Sequence, residues 1–155
     1  VEVQECALSN VAGTSTFQLV TNNTGYSGLR RRHYDFGEPI IREISVRTRT
    51  MDEMYPRDRE LYFIKIDVEG AEYLVIEGGR GTIKRNRPFI VFEHGRGAAE
   101  FYGVEPGQLY DLVVDDCGLE ISIMGEWLKD GPSLTREEFV GQFDKKTNYY
   151  FLAHP

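Results

Sequence analysis

Asp67, Glu69 and Glu72 stand at and just past the end of a near-continuous apolar run at 61–68, and Glu93 and His94 follow a second run at 88–92. Runs of this length and composition read as strands covered on both faces. In a parallel sheet, ligands bind outside the carboxyl ends of the strands. Neighbouring strands lie ~4.8 Å apart there, so residues past two adjacent ends converge. The imidazole of His94 titrates in the range that suits a general base near neutral pH. Simpler roles remain open for the same residues: Asp67 and Glu69 also suit capping of a following helix, and His94 also suits a surface loop. Asp67, Glu93 and His94 offer oxygen and imidazole to a divalent ion, but no regular ligand spacing supports it, and no metal site is expected.

Two glycine patterns resemble nucleotide-binding loops and fail on context. Gly95-Arg96-Gly97-Ala98-Ala99-Glu100 follows a strand, but a carboxylate holds the third glycine position, where it would repel a pyrophosphate. Gly79-Arg80-Gly81 follows a helix instead of a strand. Arginines 30, 31, 32, 42, 47 and 49 form a basic stretch inside an acidic chain, read either as a solvated loop or as a landing place for an anionic substrate.

The elements that would position these residues follow from period and punctuation. Strands are expected at 1–8 and 15–20, paired through the turn chemistry of Ser9-Asn10 and Gly13, with a long loop or loose hairpin over 21–39. Thr50-Met51-Asp52-Glu53 has the form of a capping box, and Pro56 would stop its helix. A short helix at 71–77, with Gly78-Gly79 as its C-cap, links the two apolar strands into a β-α-β unit. Leu109, Leu112, Val113 and Cys117 recur at helical spacing between Pro106 and Gly118. Strands at 119–123 and 148–152 close the chain, with a helix over 135–143 in the connection between them. The whole is a single α/β domain, 1–155, with helices on both sheet faces.

Composition narrows the function. The 155 residues hold 25 acidic and 18 basic side chains, a net charge of −7, so binding by phosphate neutralisation is not expected. With 41% hydrophobic residues, the chain can build a real core, and no apolar stretch approaches the ~18 residues of a membrane span. Cys6 and Cys117 form no framework or zinc pattern and suit reduced thiols in a cytoplasmic protein.

The segment Phe63-Ile64-Lys65-Ile66-Asp67-Val68-Glu69-Gly70-Ala71-Glu72, then Leu74, Ile76, Gly78 and Arg87-Pro88-Phe89-Ile90-Val91-Phe92-Glu93, closely resembles the hallmark of the FkbM family of S-adenosylmethionine-dependent methyltransferases. Ala7-Leu8-Ser9-Asn10, Gly25-Tyr26-Ser27 and Thr50-Met51-Asp52 are similar to flanking pieces of that family. The resemblance implies a class I methyltransferase (Rossmann-like) fold: a mostly parallel sheet closed by a C-terminal antiparallel β-hairpin. It implies S-adenosyl-L-methionine as cofactor, with Cys6, Ala7 and Leu8 on the adenine side and Asp67 near the transferred methyl. It implies O-methylation of a hydroxyl on a sugar, polyketide or similar small molecule. Asp67 or His94 would take the hydroxyl proton, and Glu69 and Glu93 would orient the acceptor. The family's glycine-rich first loop and the acid ending its second strand do not precede Val1, so an N-terminally truncated domain is expected. Its hallmark strand would carry an open edge for an oligomer or other association to cover. The rival readings are a non-catalytic module that recognises a glycan or protein partner through the 21–49 loop, and a metal-dependent hydrolase.

Overall fold

A computed structural model describes residues 2–155, which form seven strands in two sheets with six α-helices around them. The first sheet has the order β1 (Ala7–Leu8), β3 (Ile41–Arg49), β2 (Gly13–Val20). The strand expected at 1–8 shrinks to the two residues of β1, and its first residue, Val1, lies outside the described residues. β1 pairs in parallel with β3 and not with β2. Strand β3 carries no expectation in the sequence, because Arg42, Glu43, Arg47 and Arg49 interrupt the apolar alternation. It forms through antiparallel pairing with β2, from Gly13↔Thr48 to Val20↔Ile41, so 21–40 is a hairpin connection. Asn22 ties that connection, its side-chain oxygen accepting from the Ile40 N–H at 3.0 Å.

The second sheet has the order β4 (Phe63–Ile66), β5 (Phe89–Glu93), β7 (Tyr150–His154), β6 (Glu120–Ile123). β4 and β5 are parallel, whereas β7 returns antiparallel between β5 and β6. Each sheet thus contains one parallel pair, and the fold is α/β with two mixed sheets in place of one mostly parallel sheet.

Between β4 and β5 the chain makes two helices where the sequence suggests one: α2 (Glu72–Gly78) and α3 (Arg80–Asn86). The pair Gly78-Gly79 does not cap by left-handed geometry. Gly78 is required because a Cβ would strike the Ser9 carbonyl, which brings α2 against the end of β1. The left-handed C-cap falls instead on Arg87, at φ 46°. Asp52 of α1 (Met51–Met54) holds the start of α3, accepting from the Gly81 and Thr82 N–H groups at 2.9 and 2.7 Å. The capping box at Thr50 and Glu53 forms as its spacing predicts. The helix at 106–117 forms as α4 (Pro106–Asp111) and continues through a widened turn, with the Cys117 N–H donating to the Leu112 carbonyl at 2.9 Å.

Alternation along β4, β5 and β7 sends Ile66, Ile90, Phe92, Phe151 and Ala153 into one core with Val75, Ile76, Ile83, Leu109 and Val113. Phe139 of α6 (Arg136–Lys145) completes it, at a tilted 4.8 Å from Phe151. The opposite face is unevenly covered. Helix α5 (Met124–Trp127) places Trp127 against Phe89 and His154, but Tyr62 and Phe63 remain 71% and 57% exposed. β4 is also the edge of its sheet, with no strand on its outer side among the described residues.

Candidate active site

Strand β4 ends at Ile66, and the chain turns sharply through Asp67-Val68-Glu69-Gly70 into α2. Glu69 sits at φ 55° and Gly70 at φ 102°. The first is unusual for a residue with a Cβ; left-handed strain of this kind concentrates at functional turns. Gly70 has no substitute, because a Cβ there would lie 2.6 Å from the Ala98 backbone carbon. Neither Asp67 nor Glu69 caps α2: Ala71 is the N-cap and receives no side-chain bond. Asp67 instead accepts from Lys65 at 2.6 Å, and Glu69 is ion-paired with Arg32. The carboxylate that folds back is Glu72, whose Oε1 accepts from the Gly70 N–H at 3.1 Å.

The carboxylates and His94 line two cavities that share Glu69. The larger, about 720 Å³, opens between the two sheets. Cys6, Ala7, Leu8, Phe17, Ile44 and Val46 give it an apolar wall, and Asp67 and Glu69 stand on the side of β4. The smaller, about 350 Å³, is lined by Glu69, Glu72, Glu93 and His94, with Arg32, Asp35, Arg96 and Tyr149 around them. The residues expected to carry the chemistry therefore reach one of two adjoining spaces, Cys6, Ala7, Leu8 and Asp67 the first and Glu93 and His94 the second, whereas of the basic stretch only Arg47 lines the first and Arg32 the second.

His94 is no loop-surface residue. It is 3% exposed, and neither ring nitrogen has a hydrogen-bond partner. Its ring stacks on Phe143 at 5.0 Å and on Phe139 at 5.7 Å. Burial lowers its pKa to about 4, against a smaller opposing pull from Glu100, so the imidazole is neutral near pH 7 and titrates well below the near-neutral range its residue type suggests. Glu72 is 2% exposed, and burial, with the charge of Glu93 adding to it, raises its pKa to about 7 against the hydrogen bonds from nearby backbone. The sequence places Glu72 in the acidic cluster, but its depth follows only from the back-folded bond to Gly70.

The arginine run contributes less positive charge than its sequence suggests. Arg31 pairs with Glu43 at 4.0 Å and Arg32 with Glu69, and Arg32 also lies 4.8 Å over the Tyr26 ring. Arg32 and Asp35 are lining residues that sequence reasoning did not assign to the site; the only signal was the run itself. The glycine pattern at 95–100 is occupied from within, Glu100 accepting from the Gly97 N–H through both oxygens at 2.8 Å. Among the described residues, no group of three His, Cys, Asp or Glu could hold a metal ion, and no helix is long and apolar enough to cross a membrane.

A parallel β-α-β unit with its polar residues gathered past the strand ends makes this an α/β protein whose candidate site lies at the sheet's carboxyl edge. The family model for the methyltransferase FkbM domain matches residues 2–121, and the chain belongs to that family. No curated protein and no solved structure matches the chain.

Proposed function

We propose that this chain takes part in S-adenosyl-L-methionine-dependent O-methylation of a small-molecule hydroxyl, with the cofactor in the larger cavity and the acceptor in the smaller. The observation that carries this is the pair of adjoining cavities that share Glu69, one walled by apolar side chains and one holding a buried, neutral, unpartnered imidazole.

The residues present suit the cofactor. A space of about 720 Å³ is in the range of small-molecule sites. Cys6, Ala7 and Leu8 would pack against the purine, and the carboxylate of Asp67 would face positive charge. When bound, the cofactor supplies an electrophilic methyl group. The parallel β4–β5 unit and the antiparallel β6–β7 pair also agree with the closing half of a class I methyltransferase sheet.

The chain's own work is positioning and proton removal, and positioning accounts for most of the rate enhancement in such displacements. Glu69 and Glu93 orient the acceptor by accepting from its donors. His94 takes the hydroxyl proton on a ring nitrogen. Its low pKa keeps that nitrogen free at neutral pH, and Glu100 supplies the charge that favours the imidazolium once it forms. The test is transfer of a labelled methyl group from S-adenosyl-L-methionine to a panel of polyols and hydroxylated macrolides. Acceptor-dependent transfer that falls at least about 100-fold in His94→Gln supports the reading. Normal transfer in both His94→Gln and Asp67→Asn overturns the assignment, and no transfer to any acceptor overturns the activity.

A further inference from the structure

Charge balance in the smaller cavity bears on the acceptor's chemistry. Arg32 and Arg96 line it against Asp35, Glu69, Glu72 and Glu93. Both guanidinium groups are ion-paired, although the buried Nε of Arg32 has no partner. Arg32 is ion-paired with Glu69, and Arg96 binds Asp144, outside the lining, at 2.8 Å while lying 5.3 Å over the Phe143 ring. Asp35, Glu72 and Glu93 are left without an ion pair among the described residues. Asp35 is exposed at the rim, where it accepts from the Tyr26 hydroxyl; Glu93 is half-buried and Glu72 fully buried.

His94 points to a ligand independently of that acidic cluster. A neutral imidazole carries one acceptor nitrogen and one donor N–H, and here both are buried and unpartnered. Phe139 and Phe143 lie at 9° and 28° to its plane, so the in-plane nitrogens are directed at neither ring. Leaving such groups unpaired costs roughly 1–3 kcal/mol, which a ligand hydroxyl, donor and acceptor at once, would recover. The remaining lining is rich in acceptors and net negative, and its electrostatic complement is a cation rich in donors.

We propose that the smaller cavity binds an acceptor carrying a protonated amine beside its hydroxyl, an amino sugar or amino alcohol. Glu93 and Asp35 face the ammonium group, and His94 holds the hydroxyl. A neutral or anionic acceptor would leave Asp35 without an ion pair and Glu93 with only the charge of Lys65 and the Tyr150 hydroxyl. The inference rests on reading this space as the acceptor cavity, and its test needs no methyl donor, so it fails or stands apart from the methyl-transfer activity.

The probes are glucosamine, N-acetylglucosamine and glucose, titrated into the 155-residue chain and followed by amide chemical shifts at a pH where the free amine is protonated. Glucosamine is expected to bind at least about tenfold more tightly than the two uncharged sugars, with the largest shifts at Glu93, His94 and Gly95, and to weaken as salt is added. Glu93→Gln and Asp35→Asn are each expected to reduce that preference; Asp35 lies outside any helix or strand, so its variant reports even if Glu93→Gln fails to fold. Equal affinity for the three sugars, or a glucosamine preference that survives in every variant that folds, overturns the proposal.

Discussion

Glu72→Gln isolates the titration of a carboxyl that burial holds near neutral pH. Below about pH 4.5, its ordinary value, the carboxyl is protonated in folded and unfolded chains alike and costs nothing. Between 4.5 and about 7 the unfolded chain ionises while the folded chain stays protonated, so stability falls as pH rises. Above about 7 both are ionised, and burial of the charge is set in full against the folded state. A rise from 4.5 to about 7 corresponds to about 3 kcal/mol. The glutamine side chain of the variant has no such dependence and keeps an oxygen to accept from Gly70. Whatever the amide costs in packing or unpaired N–H groups is constant with pH and cancels in the comparison. Urea unfolding of both proteins across that range should therefore give a stability difference that moves by about 3 kcal/mol in favour of the variant from acid to mildly alkaline pH. A difference that stays flat with pH would mean that Glu72 is solvated or paired, and would refute the account of its burial.

His94→Gln should show the opposite trend. Its pKa is lowered from 6.5 to about 4, so the wild type holds that stability above 6.5 and loses it as pH falls toward 4, while the variant does not; the same urea series reads it. Because the two groups oppose each other, their summed contribution to wild-type stability should stay nearly level between about pH 4.5 and 6.5, and a steep slope there would contradict the pairing of shifts. Gly70→Ala should cost more than about 2 kcal/mol, because φ 102° and the Ala98 backbone both exclude a Cβ; a thermal midpoint within error of wild type would show that the turn relaxes. Thr135→Ala removes the hydroxyl that accepts from the Glu138 N–H at the start of α6, at a cost of about 1 kcal/mol in chemical denaturation, and no loss would mean that this cap contributes nothing.

The β-α-β unit is legible in the sequence because 61–68 and 88–92 are apolar almost without interruption and the polar residues fall at their ends. β3 is not, since its stability comes from eight cross-strand pairs with β2 that no local pattern announces. Gly78 has the position of a C-cap, yet its role is close approach to Ser9, a contact between segments far apart in sequence. The candidate site divides in the same way. Asp67, Glu69, Glu93 and His94 can be placed together from strand ends alone. The burial of His94 cannot, because it depends on Phe139 and Phe143 from a helix some fifty residues downstream, nor can the neutralisation of Arg32 by Glu69 across the hairpin loop.

Whether the space between the two sheets is a cofactor site beside the imidazole of His94 is decided by calorimetric titration of S-adenosylhomocysteine into the 155-residue chain and into Ala7→Trp, which fills the apolar wall. Saturable binding to the first and none to the second is expected. Equal heats from both proteins, or no saturable heat from either, would contradict it.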